Sequence, residues 1–136
     1  MRVFLAGCVL PFASLACYFG WWRPNAKLRD SEWWASATPC EQLVVSRQVL
    51  ALPMGSYHDA ALTVLAHRDR KSVSNLITSL RWQEWEDGDV MLCTRAHTIK
   101  AIQTITGAAV GDTAREWRRW WRIHGTEPRW QETECH

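Results

Sequence analysis

The sequence has little net charge, no clear sheet signal and none of the compact signatures of catalysis. Lysine and arginine number 16 against 14 aspartates and glutamates, a formal net charge of +2. Non-specific nucleic-acid binding draws on many uncompensated cations, so this balance argues against nucleic acid as a partner, and no recognised reader motif is present. No HExxH, no glycine-rich phosphate loop and no GxSxG occurs. The five cysteines, Cys8, Cys17, Cys40, Cys93 and Cys135, include no CxxC and no close pair. No alternating stretch is long enough to compete as a sheet, with residues 43–49 the one ambiguous segment. At 22% charged and 47% apolar residues, the chain is neither disordered by composition nor membrane-buried throughout. Its 136 residues allow one domain with short appendages.

The N-terminus departs from globular composition. Residues 3–22 contain no charge, and a helix of that length spans about 30 Å, the thickness of a hydrocarbon core. Gly7, Pro11 and Gly20 suit a membrane segment better than a soluble core helix. Four readings stay open. One is a retained anchor with Trp21 and Trp22 at the interface. Another is a signal peptide cleaved after Ala16 at a small-x-small site. A third is a lipoprotein modified at Cys8, where Leu5-Ala6-Gly7-Cys8 looks like a lipobox behind a short leader, with a weaker box at Cys17. The last is a buried N-terminal helix. Arg2 stands against Arg23, Lys27 and Arg29, so basic residues do not fix an orientation. The localisation expected is membrane-anchored, secreted or periplasmic. In an exported domain Cys40 pairs with Cys93 or Cys135; otherwise both behave as buried small hydrophobes, the reading favoured for Cys93.

Residues 23–30 read as a polar linker. Asp30 or Ser31 caps a short helix containing Trp33 and Trp34. Thr38-Pro39-Cys40-Glu41 combines an N-cap, a proline at the first helical position and a capping box, for a helix to about Leu52 before Pro53 and Gly55 stop it. Ser56-Tyr57-His58-Asp59 resembles a second capping box, opening a helix from Tyr57 to about Ala66. Asp69 is placed to cap a third helix over residues 70–80, whose Val73, Leu76, Ile77 and Leu80 follow the i, i+3, i+4, i+7 pattern. Trp82 and Trp85 fall in a polar connection ending at Asp87-Gly88-Asp89. A longer helix over residues 90–105 carries an apolar arc through Ile99 and Ile102 and ends at Gly107.

Thr113-Ala114-Arg115-Glu116 forms a further capping box and opens the most distinctive segment, Glu116-Trp117-Arg118-Arg119-Trp120-Trp121-Arg122. At about 100° per residue, Ala114, Trp117, Trp120, Trp121 and His124 share one side. Arg115, Arg118, Arg119 and Arg122 share the other. Gly125 ends the helix and Pro128 follows. The tryptophan side reads as core, with Trp117 and Trp121 packing on preceding helices. The arginine face, with Arg129 and Trp130 beyond it, is the candidate binding surface. Residues 126–136 read as a flexible tail.

Histidines and carboxylates offer little more. His58, Asp59, His67, Asp69 and His97 could be assembled into a metal or acid-base set, but His58 and His67 lie nine apart and are no ligand pair on one helix face, so all five read as caps and solvent contacts. No catalytic residue, cofactor or metal is expected.

The stretch from Ser56 to Gly125 resembles a HEAT-type helical repeat module. The cues are a helix, the turn Ala66-His67-Arg68-Asp69 and then Ser72-Val73-Ser74-Asn75-Leu76-Ile77. Next come Arg95-Ala96-His97-Thr98-Ile99-Lys100-Ala101-Ile102 with Ile105-Thr106-Gly107. Gly111-Asp112 followed by Trp117 and Trp120-Trp121 is similar to the segment that closes secreted bacterial HEAT-like proteins. Val110 stands where an aromatic is common, and at most two helix pairs fit. The resemblance implies an all-α, short array of helical hairpins over residues 31–125, closed by the tryptophan helix. Its core would include Leu76, Ile77, Ile99, Ile102, Trp117 and Trp121. The function expected is a non-enzymatic scaffold that binds a protein partner. The alternatives are a module that binds anionic lipid through its arginine face and, more remotely, a hydrolase with a histidine/carboxylate site.

Overall fold

The computed structural model describes residues 18–84, 89–132 and 135. The chain is all-α, with no strand among these residues. Among the described residues seven α-helices follow in order: α1 Arg23–Arg29, α2 Ser31–Ser36, α3 Pro39–Ala51, α4 Tyr57–Ala66, α5 Val73–Gln83, α6 Asp89–Thr106 and α7 Ala114–His124. A π-turn, Tyr18–Trp22, precedes α1, and 3₁₀ turns cover Arg70–Ser72 and Pro128–Gln131.

Neighbouring helices pack as pairs, α3 on α4 and α5 on α6, and the pairs stack so that α3 meets α5, α5 meets α7 and α4 meets α6. The result is two layers, α3-α5-α7 over α4-α6. Between them lie Val49, Leu50, Val64, Leu76, Leu80, Ala101 and Ile102, all fully buried. Ile77 belongs to the same core, while Ile99 is only partly buried against it.

Local capping sets two of the layer helices. Thr38 and Glu41 form the capping box of α3 with Pro39 in its first turn, and Thr113 and Glu116 form that of α7. Each glutamate satisfies orphan N–H groups at a helix start. Asp30 caps α2 by accepting from the backbone of Glu32 and Trp33. Glu84 accepts from the Ala114 backbone N–H at 2.6 Å, so the end of α5 supplies a carboxylate to the start of α7.

The structure corrects several expectations. Residues 23–29 are a helix, not a linker. In a straight α-helix the ring of Pro24 would strike the carbonyl four residues back, at Gly20; the π-turn widens the chain there. Leu28 is buried, and Asn25 accepts from the Ser56 N–H at 2.9 Å. That contact also explains why Ser56 does not cap α4: its hydroxyl accepts from Arg29 Nε instead. Asp69 does not cap α5, because its carboxylate is held by Arg47 and Ser72. Trp82 lies in the last turn of α5 rather than in a connection.

The segment after α7 is also not a frayed tail where it is described. Trp130 is 2% exposed, and Cys135 forms a disulfide with Cys40 at the start of α3. The sequence leaves Cys93 and Cys135 open as partners for Cys40; Cys93 is free and exposed, not a buried hydrophobe. No helix among the described residues is long and apolar enough to cross a membrane. The anchor, cleavage and lipidation readings, including Cys8 and Cys17, fall on residues 1–17, outside the described residues.

Candidate functional site

Among the described residues, two places gather candidate functional side chains: the outer face of α7, and the junction of α4 with α6.

Helix α7 is held from within by its tryptophans. Trp117 is fully buried and its indole N–H donates to the Gly111 carbonyl at 3.0 Å. Trp120 meets Trp117 edge-on, with ring centroids 5.8 Å apart, and stacks on His124 at 4.6 Å. After Gly125 the chain folds back, and Trp130 packs against both Trp120 and Trp121. The Trp130 indole donates to the His124 carbonyl, and the Arg129 guanidinium sits 4.2 Å above the Trp130 ring. Trp130 therefore belongs to the packed side of α7 and not to the binding surface expected for it. Trp121 is half-buried, sandwiched near Gly125, so its core role is smaller than that of Trp117.

The opposite face is cationic. Arg115, Arg118, Arg119 and Arg122 are all exposed, and none forms an ion pair with an acidic side chain among the described residues. Arg118 Nε donates to the Ala114 carbonyl, which holds that guanidinium along the helix. Glu116, the one acid within α7, is occupied by its cap: hydrogen bonds from the Thr113 hydroxyl and then its backbone N–H keep its carboxyl below the usual glutamate value.

At the second place, packing of α4 on α6 gathers His58, Cys93 and His97. One donor atom from each lies within 4.8 Å of the others. Cys93 and His97 are one helical turn apart on α6, with Sγ 3.5 Å from Nδ1. The His58 and His97 rings meet edge-on with centroids 4.8 Å apart. Asp59 Oδ1 lies 3.1 Å from His58 Nδ1. The sequence alone offers His58 and His97 as members of a possible metal or acid-base set with Asp59, His67 and Asp69, reads them instead as caps and solvent contacts, and places Cys93 in the core. The available signal was the i, i+4 pair Cys93–His97; its third member comes from another helix. His67 is exposed at the end of α4, and Asp69 belongs to the Arg47 ion pair; neither is part of this group.

No family model, curated protein or solved structure matches this chain.

Proposed function

We propose that this chain is a non-enzymatic, HEAT-like interaction domain, exported or tethered to a membrane, that docks an acidic protein partner against the arginine face of α7. The carrying observation is the set of four exposed guanidiniums on one side of a helix, with no carboxylate of the described residues paired to them. An arginine presents a planar fork of donors that suits carboxylates in pairs. Rigid presentation adds to this, because Trp117 and Trp130 fix the other side of α7. The α3-α5-α7 over α4-α6 layering supports the HEAT-like reading. The Cys40–Cys135 disulfide supports an oxidising compartment, in agreement with the uncharged run at residues 3–22.

Fluorescence anisotropy with an aspartate- and glutamate-rich peptide tests the docking. Binding should weaken as salt rises and disappear when Arg115, Arg118, Arg119 and Arg122 are all changed to glutamate. Binding that survives the change removes this face from consideration.

A second reading, contact with an anionic membrane surface, is favoured by the start of the described chain. Phe19 and Trp22 are 54% and 51% exposed. Arg23 and Lys27 follow them and line, with Trp33 and Val44, an open cleft of about 440 Å³. Basic residues near an anionic leaflet contribute about 1 kcal/mol each. Flotation with phosphatidylglycerol vesicles separates the readings: flotation that is lost on changing Phe19 and Trp22 to alanine supports the membrane surface, whereas a protein that does not float but binds the acidic peptide supports docking on α7.

A further inference from the structure

The junction of α4 and α6 carries chemistry that a docking domain does not need. We infer that His58, Cys93 and His97 bind a borderline transition-metal cation of the Zn²⁺ class. Thiolate and imidazole donors suit such ions and not Mg²⁺ or Ca²⁺, which take oxygen ligands.

The geometry is close to that of a bound ion. With Zn–S of about 2.3 Å and Zn–N of about 2.0–2.1 Å, a tetrahedral site separates sulfur from nitrogen by about 3.5 Å. Cys93 Sγ and His97 Nδ1 are 3.5 Å apart. Both project from one face of α6, where residues four apart lie one above the other. His58 approaches from the first turn of α4, with the three donors no more than 4.8 Å apart. The His58 side chain is 42% exposed, which leaves it room to adjust toward the other two donors.

Asp59 sets the tautomer of His58. An ionised carboxylate only accepts hydrogen bonds, so the 3.1 Å contact places the proton on His58 Nδ1 and leaves Nε2 with the lone pair that binds metal. A carboxylate behind a ligating imidazole is the arrangement that orients the ring and raises its basicity. Three protein donors leave a tetrahedral ion a fourth position for water or a small ligand, and the exposure of Cys93 gives the ion access from solvent.

The test uses the full chain with its Cys40–Cys135 disulfide intact and Cys93 reduced. Zn²⁺ titration against a competing chelator should give one ion per chain. Co²⁺ should give a thiolate-to-metal charge-transfer band that Cys93→Ser removes. Loss of a ligand in His58→Ala or His97→Ala should weaken Zn²⁺ by more than ~100-fold, and Asp59→Asn by ~10–100-fold, whereas His67→Ala leaves affinity unchanged. In the unmutated protein, Zn²⁺ should slow alkylation of Cys93 by iodoacetamide, a readout that does not depend on any variant folding. Zn²⁺ that binds without protecting Cys93, or with an affinity insensitive to all three ligand variants, overturns the assignment.

Discussion

Arg47 and Asp69 form a two-point ion pair, Nε to Oδ2 at 2.8 Å and Nη2 to Oδ1 at 2.7 Å, that ties the middle of α3 to the turn between α4 and α5. Their side chains are only 12% and 2% exposed. The Ser72 hydroxyl donates to the same carboxylate, and Asn75 donates to the Arg47 carbonyl. A pair this enclosed is costly to break, because the surviving charge stays buried without its partner.

Asp69→Ala should therefore destabilise the domain by about 3–5 kcal/mol. Arg47→Met combined with Asp69→Ala should be no worse than Asp69→Ala alone, since no buried charge is stranded. Urea unfolding of the two singles and the double measures the coupling; strictly additive losses would mean that the pair holds nothing together.

The disulfide predicts a separate loss. Cys40 and Cys135 are 95 positions apart, and closing a loop of about 100 residues removes unfolded-chain entropy equivalent to about 4.7 kcal/mol at 25 °C. Changing both cysteines to serine should lower stability by an amount of that order, and treatment of the unmutated protein with reductant should do the same. Equal unfolding midpoints with and without reductant would exclude the cross-link in solution.

Acid should loosen the starts of α3 and α7. The Thr38 backbone N–H and then its hydroxyl hold the Glu41 carboxyl below its ordinary value of 4.5; Thr113 does the same for Glu116, hydroxyl first. A carboxyl whose pKa is lower in the folded state adds stability above its unfolded value. That contribution is lost as pH falls through the depressed folded value. The melting temperature should thus decline as pH drops below 4.5. Glu41→Gln with Glu116→Gln should make that decline shallower, as thermal scans across pH would show; an unchanged slope would mean that the caps do not titrate with folding.

What could be read from the sequence follows the range of the interactions. Thr38 with Glu41 and Thr113 with Glu116 are contained within four residues each, so the pattern alone located both helix starts. Ser56 has the same local appearance, but its partners Asn25 and Arg29 are 31 and 27 positions away, and they win. Asp69 fails as a cap for the same reason, through Arg47. The all-α class and the Leu76–Ile77 and Ile102 core follow from apolar periodicity. The choice of Cys135 over Cys93 does not, because it depends on the segment after α7 returning past the Arg70–Ser72 turn to the start of α3, 95 positions back. The arginine face was legible from helical angle alone. The His58–Cys93–His97 group was not, since only the packing of α4 on α6 creates it.

The tryptophans of α7 should separate by burial. Trp117 is fully buried and Trp130 nearly so, so either change to alanine should cost about 3–5 kcal/mol. Trp121 is half-buried and should cost less, but it carries a second constraint. A Cβ added at Gly125 would lie 2.6 Å from Trp121 Cε2 and 2.7 Å from the Trp121 carbonyl oxygen. Gly125 has φ −69° and so is not in the left-handed region; the glycine is required there by the close approach of Trp121. Gly125→Ala should destabilise by about 1–3 kcal/mol through overpacking. In a Trp121→Ala background most of the ring clash is gone, so the further cost of Gly125→Ala should shrink. Denaturant midpoints of the two singles and the double decide the matter: an undiminished cost in the double would place the strain on the backbone carbonyl rather than on the indole.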